Sequence, residues 1–409
     1  MRRPRVLVAL LVCTLLIAAA CGDSDDDTSA DTTAAPADTT ATTEQSADAT
    51  TTAAGAAATT SAAPGTTASS AATLAELDPE RCAANEAAGT ITYPTAFSYA
   101  AAVTILEPIV AEAEGYFGDV CLDVDIVPSF AGQAAAAMSS GQAQISEIGS
   151  FGELVTLNVR SDTDFVAIGH WGKTAVQALV APTEKGITEL SEVEGTVMGI
   201  KTDLPPALQV MLARAGVERG SFEEVLLEGF DPIAHLELGI DSLPVYKSNE
   251  PKTIDEAGIE YTLFDPLDHD VPASFGIVYT TTGFLADHPT AVEDFVRAML
   301  RGWEFAREDP TAAVAHAVEL INTPDSNFFS TQEAEEFRWI TESDLVVETT
   351  PPDQVIGEVA PDLLGAEIEA LVDVALLEEM PDWESMIDPS VVEGLYDGAT
   401  LIWPAAPAG

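Results

Sequence analysis

Six consecutive residues, Gly169-His170-Trp171-Gly172-Lys173-Thr174, come nearest to a phosphate-binding motif in this 409-residue chain. A loop of the form G-x-x-x-x-G-K-T needs a glycine at position 167, where Ala167 stands, and a helix after it, whereas the residues after Thr174 read as strand. Nucleotide chemistry is set aside on those grounds. Nucleophilic catalysis has no better footing: there is no G-x-S-x-G elbow, and neither Cys82 nor Cys121 has a histidine nearby in sequence. His170, His235, His269, His288 and His316 never fall at metal-ligand spacing. The densest local group, Asp265, Asp268, His269 and Asp270, is flanked by prolines and reads as a solvated loop. No metal, no cofactor and no catalytic residue is expected.

Charge removes a further class. The chain has 68 acidic residues against 16 basic ones, a formal net charge of −52. Such a surface repels polyphosphate, so nucleic-acid binding is excluded. The basic residues Arg2, Arg3 and Arg5 precede an apolar stretch over 6–17, the pattern of an export signal covering 1–20. Ala18-Ala19-Ala20-Cys21-Gly22 follows and resembles the lipobox of bacterial lipoproteins, which implies lipidation of Cys21; cleavage at an A-x-A site is the alternative. Residues 22–73 contain no Val, Ile, Leu, Met, aromatic, Lys or Arg, and cannot bury enough apolar surface to offset chain entropy. A disordered tether over 21–80 is therefore expected, holding an extracytoplasmic globular part to the cell membrane through the lipid. Two cysteines, Cys82 and Cys121, remain in that part. An even pair in an exported chain reads as one disulfide, with two buried thiols as the alternative.

The elements that position any site alternate strand with helix from about residue 88 onward. Strands are expected at 90–93, 122–128, 145–148, 165–169 and 175–181, with helices at 100–114, 131–139 and 151–159 between them. A second unit has strands at 196–200, 225–228, 242–246 and 261–264 and helices at 206–215 and 232–238. A return strand at 277–281 leads into helices at 291–307, 311–320, 331–343 and 366–379. This alternation predicts an α/β chain with a mostly parallel sheet covered on both faces. Lobe one is assigned to 88–182 and 276–409, the latter with a helical C-terminal extension, and lobe two to 183–275.

Family resemblance enters through several connected motifs. Thr92-Tyr93-Pro94, then Gly115-Tyr116-Phe117, then Leu122-Asp123-Val124 is similar to the opening of substrate-binding proteins of ABC importers. The group concerned covers nitrate, sulfonate, taurine and pyrimidine-precursor ligands. Ser140-Gly141-Gln142-Ala143, Gly195 to Ile200, Asn249-Glu250-Pro251, and His288-Pro289 followed by Phe295 to Gly302 resemble later segments of the same family. The resemblance implies a two-lobed periplasmic binding protein of type 2, without catalysis, monomeric, delivering a small molecule to permease subunits. The hinge strands are expected to cross near Pro182 and near 274–276. Ligand contacts are expected at Tyr93, Phe97 and Ser98, at Ser150 and Phe151, at Trp171, at Thr202 and Asp203, and at Tyr246, Asn249 and Glu250. A tyrosine before Asn-Glu-Pro resembles the members that bind pyrimidine precursors or riboflavin. Glu250 would repel a sulfonate or nitrate but accept hydrogen bonds from ring N–H or amino groups. The expected ligand is a neutral or cationic heteroaromatic nutrient. Alternatives are a sulfonate, taurine or nitrate ligand, a pyrimidine-synthase-like enzyme, or a lipid-anchored sensor.

Overall fold

The computed structural model describes residues 77–201, 203–323 and 329–404. The signal segment, Cys21, most of the tether and Thr202 lie outside the described residues. The first described element is a helix, α1 (Pro79–Glu86), where the tether was expected to continue to residue 80. Its sequence is too polar to show a buried face, and its anchor is electrostatic. Arg81 donates to Asp294 (2.7 and 3.0 Å) and Glu293 (2.8 Å), and Asn85 Nδ2 donates to the fully buried Asp294 (2.7 Å).

Lobe one then builds β1 (Thr90–Pro94), α2 (Leu106–Ala113), α3 (Tyr116–Asp119), β2 (Asp123–Val127), α4 (Ala131–Ser139), β3 (Ile145–Ile148), α5 (Phe151–Ser161) and β4 (Phe165–Gly172). β1 and β2 pair in parallel. A disulfide joins Cys82, on α1, to Cys121, just ahead of β2. The expected helix over 100–114 starts only at Leu106: residues 101–105 form turns, with Thr104 at φ +70°, and their amides turn outward to carboxylates described below.

Lobe two contains β5 (Gln177–Pro182), β6 (Val197–Ile200), α6 (Pro206–Arg214), β7 (Glu223–Leu226), α7 (Pro232–Glu237), β8 (Leu243–Tyr246), α8 (Glu250–Glu256) and β9 (Tyr261–Phe264). The chain returns through β10 (Phe275–Thr281) to α9 (Thr282–Asp287), α10 (Pro289–Glu308), α11 (Pro310–Ile321), α12 (Gln332–Thr349), α13 (Pro361–Asp373) and α14 (Ser390–Glu393), ending in the hairpin β11 (Tyr396–Asp397) and β12 (Thr400–Leu401).

The sheets are more mixed than the alternation predicts. β6 pairs with β7 in parallel, but β10 lies antiparallel between β3 and β4, and β5 antiparallel between β8 and β9. The two central strands, β10 and β5, are the ones that enter a lobe from the other lobe, so they arrive running against their neighbours. The same pairing moves the first crossing. β5 belongs to lobe two throughout, so the chain leaves lobe one at 173–176 and not near Pro182; it comes back over 270–274. Gly172 marks the first crossing, where a Cβ would sit 1.8 Å from the Phe275 ring.

α10 is the main buttress of lobe one. Val292, Phe295, Val296, Met299, Trp303 and Ala306 recur every three or four residues and are buried against α2 and α11. Gly302 lets α10 approach α2: a Cβ there would meet the Glu107 carbonyl oxygen at 2.3 Å. α13 has a different role from that expected of a lobe-one extension. Leu364, Ile368 and Leu371 share one apolar cluster with Phe151 and Val155 of lobe one and with Leu208 and Met211 of lobe two.

Candidate functional site

The surfaces of both lobes meet over a cleft whose rim is aromatic. Phe97, in the loop after β1, packs edge-on against Phe130 at 5.8 Å on its own lobe and against Phe230 of lobe two at 5.5 Å. Phe130 and Phe230 keep about half their surface exposed (47% and 49%). The Lys201 ammonium lies over the Phe230 ring, 5.7 Å from its centroid. Ser98 shapes the loop: φ is +49°, and its N–H donates to the Ser129 carbonyl at 2.8 Å.

Tyr246 forms the far wall. It ends β8, paired in register with Gln177 of β5, which also hydrogen-bonds its hydroxyl. The residue ends an edge strand and is 45% exposed. Its hydroxyl pKa is held above the ordinary range by desolvation first, then by Glu153 from lobe one, Glu250 from lobe two and Glu342 from α12. Carboxylates from three separate parts of the chain therefore act on one buried hydroxyl, while the residue as a whole keeps 45% of its surface exposed.

Several further carboxylates are buried in lobe one and in α12. Glu147, at the end of β3, is 6% exposed and accepts from the Ala96 N–H at 2.6 Å; burial pushes its pKa up to about 8. Glu153, in the first turn of α5, is pushed by burial up to about 7, held down partly by the Ser150 and Gly149 amides. Glu342 is raised by burial and accepts from Ser248 Oγ at 2.6 Å and the Val103 N–H at 2.8 Å. Glu107 is fully buried and is pushed well above the carboxylate range by burial, an effect its own and the Thr104 backbone amides offset in part and Glu342 and Glu147 add to. Lys201 brings a cation to this wall, and its charge is matched by an ion pair with Glu250.

The expected contacts divide accordingly. Phe97 and Ser98 lie in the loop after β1, where Phe97 meets Phe230 of lobe two, and Tyr246, Asn249 and Glu250 follow one another from the end of β8 into α8. Asn249 is held by Arg338, whose Nη2 donates to its Oδ1 at 3.2 Å. Glu250 is buried and works within the wall: Oε2 accepts from the Tyr246 N–H at 2.8 Å while Oε1 meets Lys201. Its immediate role is to fix Tyr246 and neutralise Lys201.

Four residues do not serve as expected. The Tyr93 ring is fully buried beside Phe295, and its hydroxyl donates to the Thr104 carbonyl at 2.7 Å, so it is a core residue. Trp171 is likewise fully buried; its glycine-rich surroundings clear room for the indole, with Gly169, Gly276 and Gly357 against it. Phe151 is buried on α5 against Trp383. Asp203 is exposed and paired with Arg219 at 2.7 Å. Thr202 lies outside the described residues.

Ser150 caps α5, accepting from the Glu153 N–H at 3.2 Å, and lines a narrow crevice with Glu153, Gln177, Pro206 and Glu367. The N-terminal amides of α5 are already occupied. Phe151 N–H donates to Ser274 Oγ at 2.9 Å and Gly152 N–H to Glu367 Oε1 at 2.8 Å. A helix N-terminus is a ready anion site, and here the protein's own carboxylate fills it. Phe130, Glu147, Glu153, Gln177, Lys201 and Phe230 escaped the sequence reading. For Phe230, Gly229 and Pro232 on either side were the local sign of an exposed loop.

In the aspartate-rich turn at 265–270, Asp265 accepts from the Leu267 N–H at 3.0 Å and pairs with Lys247 at 2.7 Å. Among the described residues, no group of three or more His, Cys, Asp or Glu is placed to hold a metal ion.

No curated protein matches the chain significantly. Solved structures match its fold. The alkanesulfonate-binding protein SsuA from Xanthomonas axonopodis pv. citri, bound to MOPS, is 10% identical, with 73% of this chain and 98% of that chain covered and a TM-score of 0.54. The periplasmic aliphatic sulphonate binding protein SsuA from Escherichia coli is 12% identical over 73% and 97% of the two chains, with a TM-score of 0.55. The enzyme DszB, solved with biphenyl-2-sulfinic acid, is 13% identical over 74% and 97%, with a TM-score of 0.51. Residues 104–313, just over half of the chain, match the family model described as NMT1/THI5 like. With two lobes, a double crossing and that match, the chain belongs to the NMT1/THI5-like family and carries the periplasmic-binding-protein fold.

Proposed function

We propose that the protein is the extracytoplasmic solute-binding component of an ABC importer, capturing a small heteroaromatic nutrient between its lobes without chemical change. A pyrimidine or thiamine precursor, or a riboflavin-like compound, is the ligand class. The observation that carries this reading is Tyr246, 45% exposed at the end of β8, with Glu153, Glu250 and Glu342 acting on its hydroxyl. A flat ring stacks on the tyrosine, and ring N–H, amino or cationic nitrogen groups donate to Glu153. The same wall in its ionised form, above about pH 7, disfavours a sulfonate or nitrate, whose charge would meet those carboxylates and a helix N-terminus already filled by Glu367. Because an enzyme such as DszB shares the fold, recovery of the bound solute unaltered after incubation is part of the test.

Glu153 is the residue to vary. Glu153→Gln keeps the size and removes the charge, and loss of one charge-assisted hydrogen bond costs roughly 1.5–3 kcal/mol, about 10- to 150-fold in affinity. The affinity for an aminopyrimidine, measured by calorimetric titration, should fall by that factor. Unchanged affinity would remove Glu153 from the ligand's reach.

Delivery to a permease requires the protein to stay at the membrane, and Cys21 is the proposed lipidation site of a monomeric, tethered receptor. Two acyl chains give stable attachment where one does not. In cells, Cys21→Ser should move the protein from the membrane fraction to the soluble fraction or the medium; full retention in the membrane would place the anchor elsewhere.

A further inference from the structure

Two hinge crossings normally leave two lobes free to open, yet here a third connection spans them. The C-terminal helices α12 and α13 bond to both lobes and to both crossings. At the first crossing, Lys173 N–H donates to Thr349 Oγ1 at 3.2 Å, and Lys173 Nζ donates to the Glu358 carbonyl at 2.6 Å. At the second, Ser274 Oγ donates to Glu367 Oε2 at 2.6 Å, while the other oxygen of Glu367 takes the Gly152 amide of lobe one.

Glu342 makes the same kind of bridge beside the cleft. On α12 its Oε2 accepts from the Val103 N–H of lobe one, and its Oε1 from the Ser248 hydroxyl of lobe two, which precedes Asn249 and Glu250. One turn earlier Arg338 holds Asn249 of lobe two, and two turns earlier Glu335 accepts from the Ala101 N–H of lobe one at 2.7 Å. Positions 335, 338 and 342 are spaced three and four apart and share one helix face. Glu342, Ser248 and Glu335 are all buried, so these bonds are shielded from water and from salt.

We propose that α12 is a brace holding the lobes in their closed relation, with Glu342 as the positioning residue that joins them. Opening the cleft breaks one of its two bonds and leaves a buried carboxylate short of a donor, so the empty protein is biased toward closure. The inference rests on the cleft being a solute site, because closure matters only if something is captured. Its test uses no solute, so the two readings fail separately.

Paired spin labels at exposed positions flanking the rim, Gln133→Cys on α4 and Glu228→Cys just after β7, report the cleft width in the solute-free protein. Glu342→Ala and Ser248→Ala should both shift the distance distribution to longer values, and Glu342→Gln, which keeps an acceptor for Val103 and a group to bond Ser248, should restore the short one. Ser248→Ala removes a single hydroxyl and decides the matter if Glu342→Ala fails to fold. A short, unshifted distribution in folded Ser248→Ala overturns the proposal, since a helix that merely packs on the lobes would survive that change without moving them.

Discussion

Tyr246→Ala should abolish most solute binding while leaving the empty protein nearly as stable as before. Burying an aromatic ring against a ligand contributes about 1.5–3 kcal/mol, and ring–ring geometry adds about 0.5–1.5 kcal/mol. The expected loss is therefore about 2–4 kcal/mol, or roughly 30- to 1,000-fold in affinity. Stability should change little, because 45% of the residue is exposed and its backbone contacts, the β5 pairing and the N–H bond to Glu250, survive the substitution. Tyr246→Phe separates the ring from the hydroxyl: it should retain most of the stacking and lose the bond to Gln177. Titration of the three proteins side by side, with melting curves for each, measures both contributions. A large fall in melting temperature for Tyr246→Ala would make the residue a core element instead.

The second large effect is an inverted response to acid. Burial raises Glu147 to about 8 and Glu153 and Glu367 to about 7, and raises Glu107 and Glu342 as well. Each group binds a proton more readily in the folded chain than in the unfolded one. The stability this contributes is fully present below the unfolded carboxylate range and is lost as pH rises through 7 to 8. Each such group therefore favours the folded chain more at acid pH than at neutral pH. Lys173 acts in a different window: burial lowers it to about 7, which makes stability rise with pH between about 7 and the ordinary lysine range. Denaturant unfolding of the empty protein should therefore show higher stability at pH 5 than at pH 7. A steady fall in stability from pH 7 to pH 5 would show that these carboxylates are charged in the fold. The same groups bear on binding, since a cationic solute favours their ionised forms and its affinity should rise from pH 6 to pH 8.

The fold was legible where local pattern and burial agree. Phe165 to Gly169 reads as a strand from its apolar run, which β4 continues to Gly172 with every residue buried, and the three-and-four spacing of Val292 to Trp303 marks α10 in the same way. Sheet direction was not legible, because the antiparallel placing of β5 and β10 follows from where the chain crosses between lobes. α1 was missed because its order comes from Asp294, more than 200 residues away.

In the site, Glu250 and Tyr246 stood out by their local motif, but their working partners did not. Lys201 lies 49 positions from Glu250, and Glu342 lies 94 from Ser248. Nothing in the sequence around Glu147 or Glu342 separates a buried carboxylate from the many on an acidic surface; tertiary packing alone buries them. Trp171 was misjudged for a related reason. Glycines beside an aromatic read as a loop, whereas here they open space for the ring inside the core.

The most direct test of the central claim is calorimetric titration of the purified, unlipidated protein with aminopyrimidines, flavins, taurine, alkanesulfonates and nitrate under one set of conditions. The proposed site, with Tyr246 as stacking face and Glu153 as acceptor, predicts tight, one-to-one binding of a nitrogen heteroaromatic, weakened by both Tyr246→Ala and Glu153→Gln, with no detectable heat from the sulfonates or nitrate. Tight binding of a sulfonate or nitrate, unaffected by either substitution, would contradict it.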